Sequence, residues 1–254
     1  MSEQASDRAA LVTGAGHRIG ADIARSLAAD GWFVHVHYNS AHQAAAAVVA
    51  EITAAGGRAA AVRADLADAQ AVGGLVARCR DVGPPLGCLI NNASLFTRDH
   101  AADLSVELWD QHIAVNMRAP AFLARDFAAQ LPADDTGCVV NILDNKVFAL
   151  NPDYFSYTAS KFGLRGLTVT LAMALAPQVR VCGIAPGITL ISDKQTPEEF
   201  ERAHRNNPLG RGCSVEEIVA AVRLILNSPA MTGRIITIDG GQSLVQAPRD
   251  VAFL

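Results

Sequence analysis

Short apolar runs alternate with longer stretches of helical periodicity along almost the whole chain. Ala9–Thr13, Phe33–His37, Ala59–Arg63, Cys88–Asn91, Gly137–Leu143, Val179–Gly183 and Ile235–Asp239 are brief runs rich in small or β-branched residues, and read as strands. Between them Ile19–Ala29, Ala41–Ala55, Asp68 to about Arg80, Ser105–Gln130, Phe155–Ala176 and Val215–Leu226 read as helices. Gly31 breaks the first, and Gly56–Gly57 ends the second as a C-cap pair should. Ala185–Gly212 is irregular apart from a short helix near Pro197–Arg205. Alternation of this kind predicts an α/β fold: a single Rossmann-like, doubly wound parallel sheet of about seven strands, flanked by helices and joined by right-handed crossovers. No linker, repeat or low-complexity tract interrupts residues 1–254, so one domain is expected.

In such a sheet ligands sit beyond the carboxyl ends of the strands, at the switch point. The polar residues placed there are Gly14–Arg18, His37–Ser40, Asp65, Asn91–Phe96, Asp144 and Pro186–Thr189. TGAGHRIG, Thr13 to Gly20, carries the first strand through a Gly turn into a helix N-terminus. Backbone N–H groups and the helix dipole then point at one spot, which suits a phosphate. The second strand ends in His37, Tyr38, Asn39 and Ser40, with no Asp or Glu to bind a ribose 2′-hydroxyl. Arg18 and these donors suit a 2′-phosphate, so NADPH is expected rather than NADH. A plain turn with exposed polar residues is the competing reading of those four positions.

Tyr157 and Lys161 are four residues apart on a predicted helix and share a face. A phenol with a pKa of ~10 is a poor acid–base group at neutral pH, and a neighbouring ammonium would lower that value. A surface pair one turn apart is the alternative.

Composition narrows the classes. Half the residues are hydrophobic and only 6% aromatic, which suits compact buried strands, and a net charge of −4 argues against nucleic-acid binding. Cys79, Cys88, Cys138, Cys182 and Cys213 lie far apart without a CxxC, and read as buried reduced thiols. The seven histidines show no metal-ligand spacing, so no metal is expected. MSEQASDRAA has neither a basic patch nor an apolar core, and no apolar run reaches the about 18–20 residues of a membrane span. A cytoplasmic protein is expected.

TGAGHRIG, Asp65 after strand three, NNAS at Asn91–Ser94, Asn116, YTASK at Tyr157–Lys161, APG at Ala185–Gly187 and DGG at Asp239–Gly241 occur in one order. That order resembles the short-chain dehydrogenase/reductase family along nearly the whole chain. The resemblance implies that Tyr157 moves the proton, that Lys161 holds the nicotinamide ribose and lowers the tyrosine pKa, and that Asn116 supports a water relay. Asp65 would meet the adenine, and Asn91 with Ala93 the ribose. Together the coenzyme would contact Gly14, Arg18, Ile19, His37, Tyr38, Asn39, Ser40, Asp65, Leu66, Asn92, Ala93, Ser94, Tyr157, Lys161, Pro186, Gly187 and Ile188.

One departure points to a subfamily. Where the family usually has a serine, thirteen residues before the tyrosine, this chain has Asp144. A carboxylate opposes a developing alkoxide but can bind an N–H and an amino group together. Arg18, the NNASLF run and Asp144 before YTASK look like pteridine reductases and dihydromonapterin reductases. On that resemblance Arg18, Ser94, Phe96, Asp144 and Tyr157 would contact a pterin, with Phe96 stacking it. Asn39 stands where those reductases often carry a basic residue. The expected activity is NADPH-dependent reduction of a dihydropterin. A carbonyl reductase or an NADPH-binding sensor without catalysis are the alternatives. A segment near residues 188–212, holding Lys194 and Arg205, would cover the substrate, and the family resemblance implies a homotetramer built on the long helices.

Overall fold

The computed structural model describes residues 8–191, 195–245, 247–250 and 253. The elements run β1 (Ala9–Val12), α1 (Arg18–Ala29), β2 (Phe33–Tyr38), α2 (His42–Ala54), β3 (Arg58–Arg63), α3 (Ala69–Gly73), α4 (Leu75–Val82), β4 (Leu86–Asn91), α5 (Val106–Ile113), α6 (Ala119–Gln130), β5 (Gly137–Ile142), α7 (Phe155–Ala174), β6 (Val179–Pro186), α8 (Pro197–Arg205), α9 (Val215–Leu226) and β7 (Ile235–Ile238). The strands form one sheet in the order β3-β2-β1-β4-β5-β6-β7, every pair parallel. The order reverses between β1 and β4, which opens the crevice where ligands bind such sheets.

Both faces of the sheet are covered, so β1, β4 and β5 are buried at every position and carry small or branched residues throughout. One face packs on α1, α2 and α9 through Ile23, Leu27, Val48, Ile218 and Ile225. The other packs on α3, α4 and α6 through Val72, Leu75, Leu123 and Phe127. All five cysteines are free and buried, and Cys88 faces Cys138 across β4 and β5. The edge strands β3 and β7 are the ones with exposed positions.

Three elements differ from their sequence-based expectation. The helix expected from Asp68 to Arg80 is two helices, α3 and α4, divided at Gly74 beside Gly73, where glycine weakens a helix interior. The long helix expected over Ser105–Gln130 contains a π-helical turn at Ala114–Arg118, which holds Asn116. β6 runs on to Pro186 because Ile184, Ala185 and Pro186 pair with β7, and a proline is tolerated at a strand end. The short helix α8 begins at Pro197 behind a Thr196–Glu199 capping box.

Candidate active site

The Gly turn is shaped by close approach. Gly14 has φ +64°, and a Cβ there would lie 3.0 Å from Ala93 Cα. A Cβ on Gly20 would overlap the Gly14 carbonyl and the Asn92 amide. Thr13 Oγ1 accepts from the N–H groups of Asn92 (2.9 Å) and Ala93 (3.0 Å), while Asn92 Nδ2 donates to the Thr13 carbonyl at 2.9 Å. His37 Nδ1 accepts from the Gly14 N–H at 3.0 Å and its Nε2 donates to the Ala64 carbonyl at 3.1 Å. Burial pushes the His37 pKa down to about 4, so the ring is neutral. Asn92 and His37, expected against the coenzyme, brace the turn that would receive it.

Arg18 opens α1. Its backbone is left-handed, φ +54°, where glycine is favoured. Its guanidinium donates to the carbonyls of Ile191 (2.7 Å) and Leu190 (3.3 Å), which tie it to the segment after β6. In this structure its fork is turned to that segment, whereas a 2′-phosphate is expected beside the residues that follow β2. There, His17, Ser40, Ala41, His42, Gln43 and Ala44 line a cavity of about 340 Å³ at the N-termini of α1 and α2. Arg63 donates to the carbonyl of Asn39, the residue before Ser40, at 3.1 Å. His17 lies within the Gly14–Arg18 stretch expected to meet a ligand, whereas His42 and Arg63 escaped the sequence reading, although His42 opens α2 and helix starts bind anions.

Around this crevice Asp65 turns Oδ1 back to the Ala67 N–H at 2.9 Å, and Leu66 is buried in the core, so only its backbone faces outward. Ile19 packs half-buried against α2 and the sheet. Tyr38 is half-buried with its ring edge-on to His42. Gly187 donates to the Ile238 carbonyl at 2.8 Å and sits so close to Asp239 that a Cβ would come 2.8 Å from its Cα. Pro186, Gly187 and Ile188 thereby leave the sheet at its carboxyl edge. Lys194 lies outside the described residues, as does the stretch 192–194 of the expected covering segment.

At the start of α7, Tyr157 and Lys161 both face inward and are buried. Tyr157 Oη donates to Asp144 Oδ2 at 2.7 Å, and Asp144 Oδ1 accepts the Lys146 N–H at 2.8 Å. Burial first, and then the Asp144 charge, push the Tyr157 pKa well above that of a free phenol, with the Ser94 hydroxyl pulling the other way. Lys161 Nζ donates to the Ile142 carbonyl at 2.8 Å and stands 5.9 Å from the Tyr157 ring centre. Burial pushes its pKa down to about 8 against the pull of Asp144. The expected lowering of the tyrosine pKa is therefore reversed in the protein by itself, chiefly because the phenol is buried and then because the charge beside it, Asp144, is negative.

Asn116 is likewise committed. Its amide accepts from the Leu95 N–H (2.8 Å) and donates to the Leu95 carbonyl (2.9 Å) and Ser160 Oγ (3.0 Å), so it clamps the NNAS loop. Asn91 is buried in the sheet and donates to Asn141 Oδ1 at 2.8 Å. Ser94 is exposed beside Asn116 and Tyr157. Phe96 is 49% exposed. It meets Tyr157 edge-on at 4.7 Å and stacks on Tyr154 at 4.2 Å. Behind it His112 Nδ1 donates to Ser156 Oγ at 2.6 Å, Ser156 donates to Asp99, and His112 Nε2 accepts the Thr97 N–H at 3.2 Å.

A parallel sheet with a Gly turn at its switch point and a buried Tyr–Lys pair on the following helix defines a nucleotide-dependent oxidoreductase. The short chain dehydrogenase family matches residues 8–202, and the chain belongs to that family. It is an NADP-dependent oxidoreductase. FolM alternative dihydrofolate reductase 1 from Brucella suis, crystallised with NADP, is 43% identical with a TM-score of 0.93, over 96% of this chain and 98% of that one. The angucycline C-6 ketoreductase LanV with bound NADP is 29% identical with a TM-score of 0.87, over 96% and 99%. A 3-oxoacyl-acyl-carrier-protein reductase of Synechocystis sp. is 34% identical, over 91% of this chain and 95% of its own length.

The residues present fit the coenzyme. Gly14 and Gly20 let the turn after β1 pack tightly against Asn92 and Ala93, and a cavity lined by His17, Ser40 and His42 lies at the N-termini of α1 and α2, where a phosphate would be held.

Proposed function

We propose that the protein is an NADPH-dependent reductase of a dihydropterin, taking the ring to the tetrahydro level. The observation that carries this reading is the hydrogen bond from Tyr157 to Asp144 where the family's usual serine would stand. A ketone oxygen needs two donors at that point, whereas this pair offers one carboxylate acceptor and one hydroxyl. That combination suits a ring edge that presents N–H and amino donors next to a nitrogen acceptor. The FolM structures, alike over almost the whole chain, support the same reading.

The Gly turn with Gly14 and Ala93 would hold the coenzyme pyrophosphate. His17, Ser40 and His42 would take the 2′-phosphate, and Lys161 the nicotinamide ribose. When bound, NADPH supplies the hydride. Asp144 anchors the donors of the substrate edge, and Phe96 presents its exposed face to the flat ring. Tyr157 donates a proton to the ring nitrogen of the C=N bond as its carbon is reduced, and Ser94 stabilises the phenolate left behind. Holding two flat reactants in one orientation supplies a large share of the rate. The exposed stripe Phe162, Val169 and Met173 on α7, with Phe122 on α6, is proposed as the face through which copies of the chain associate.

The 3-oxoacyl and angucycline reductases favour carbonyl reduction as a second reading. NADPH oxidation with dihydrobiopterin and dihydromonapterin, beside a ketone panel, separates the two. Pterin-dependent oxidation that disappears in Tyr157→Phe supports the first reading, and turnover of ketones alone overturns it.

A further inference from the structure

The helix that carries Tyr157 is not capped by its own N-cap residue. Tyr154 has a left-handed backbone (φ +55°) there and makes no side-chain cap. The cap comes from Asp99, 57 residues before Ser156, whose carboxylate accepts the Ser156 N–H at 3.1 Å. A negative charge at that end also suits the helix dipole.

Ser156 is the middle of a longer hydrogen-bonded chain. A backbone N–H can only donate, so His112 Nε2, which accepts from Thr97, carries no proton. The ring proton is therefore on Nδ1 and goes to Ser156 Oγ at 2.6 Å, which leaves the serine proton for Asp99. Burial pushes the His112 pKa down against the pull of Asp99 and keeps the ring in this neutral form. The carboxylate holds the serine and not the imidazole, so the order is not that of a nucleophilic triad. All three side chains are buried.

Four residues further along, the π-helical continuation of α5 meets α7 again. Asn116 donates to Ser160 Oγ at 3.0 Å, a second rung parallel to His112–Ser156. The two rungs hold one segment at two points, Asn116 at Leu95 and His112 at Thr97. Phe96 lies between those points and Ser94 directly before them. Tyr157 follows Ser156, with its ring edge-on to His112 at 6.1 Å.

We propose that His112 is a positioning residue, which through Ser156 and Thr97 fixes the Tyr157 hydroxyl relative to Ser94 and Phe96. The role rests on Tyr157 as the proton donor of the proposed reduction, and holds for a dihydropterin or a ketone.

The test uses three variants. His112→Phe fills the space and breaks both bonds, His112→Asn keeps a donor near Ser156, and His112→Gln keeps an acceptor near Thr97. KM, kcat and the solvent deuterium effect on kcat are measured with NADPH and dihydrobiopterin. His112→Phe is expected to lower kcat about 30-fold, within the about 100-fold that a displacement of ~1 Å can cost. It should also raise KM, and the solvent deuterium effect should grow as proton transfer from Tyr157 slows. His112→Asn should recover most of kcat, and His112→Gln most of KM. The NADPH Kd should stay within about twofold, because Thr13 holds Asn92 and Ala93 separately. Unchanged kcat in His112→Phe overturns the role. So does a fall in kcat with KM and the deuterium effect unmoved, the mark of less folded protein. Should His112→Phe not fold, the two conservative variants carry the same comparison.

Nitrogen-15 spectra of the wild-type histidines add a measurement that needs no variant. His112, identified by its contact with the Tyr157 ring, should show Nδ1 protonated and Nε2 bare at pH 7. The other tautomer, or the cation, overturns the role. A wild type that reduces ketones but no dihydropterin overturns the dihydropterin reading alone, and the variants are then scored on the ketone. A wild type that reduces neither removes both.

Discussion

Tyr157 donates its hydroxyl to the carboxylate of Asp144, 2.7 Å away, so the proton-bearing group of the site is hydrogen-bonded to an anion. The contact raises the tyrosine pKa and gives the site an acceptor where a serine would give a donor. Asp144→Ser should therefore lower kcat/KM for dihydropterins by about 100-fold or more, the scale of a lost acid–base partner. NADPH affinity, followed by fluorescence, should change less than about threefold. Equal loss of NADPH binding in a folded variant would refute the role given to Asp144.

Lys161 sets an alkaline limit. Its pKa, pushed down to about 8 by burial, means that the free enzyme loses this ammonium as pH rises through about 8. Since the charged form is the one able to hold the ribose, the Kd for NADPH should rise above that pH. Titrations between pH 6.5 and 9.5 check this, and a flat profile would count against it.

Stability should fall on the acid side. Burial lowers both His35 and His37 from 6.5 to about 4, so the folded protein binds fewer protons than the unfolded chain between those values. Their neutral-state contribution is complete above about pH 6.5 and is lost as pH falls from there to about 4. The loss is about 3 kcal/mol for each ring. Urea unfolding at pH 7.5, 6 and 5 gives the slope directly.

His35 separates from His37 by its surroundings. Both its ring nitrogens are buried without a hydrogen-bond partner among the described residues. His35→Leu removes two unsatisfied polar atoms and should raise Tm at pH 7 by a few degrees, corresponding to about 1–2 kcal/mol. The variant should also lose part of the acid sensitivity. His37→Leu should do the reverse at pH 7, because it removes the acceptor that fixes the Gly14 N–H.

Arg18 carries two opposed effects. Arg18→Gly relieves a left-handed backbone worth about 1–2 kcal/mol, whereas Arg18→Ala keeps the strain. Both lose the bonds to the Leu190 and Ile191 carbonyls. Tm should therefore be higher in the glycine variant than in the alanine one, while the segment after β6 becomes more open to protease in both.

The sheet, its helices and the placement of Tyr157 and Lys161 were readable because period, glycine positions and the strand-end rule act locally. The destinations of polar side chains were not. Arg18 reaches carbonyls more than 170 residues further on, and His37 meets Ala64 across a neighbouring strand, distances that no local pattern encodes. The π-helical turn at Asn116 was not legible either, because a single turn is too short to establish a period of its own. The docking of Arg249 and Asp250 on Asp153 and Lys146 reads in sequence as ordinary surface charge.

The interior thiols give the protein its own clock. Cys79, Cys88, Cys138 and Cys182 are sealed between sheet and helices, with pKa values raised chiefly by burial. A thiol reagent reaches them only when the layers part, so the rate of alkylation counts openings of the whole sheet. A ligand that binds only the closed form slows that count by the factor 1 + [L]/Kd. Coenzyme and substrate affinities can thus be read from the native chain with no label added and no turnover required.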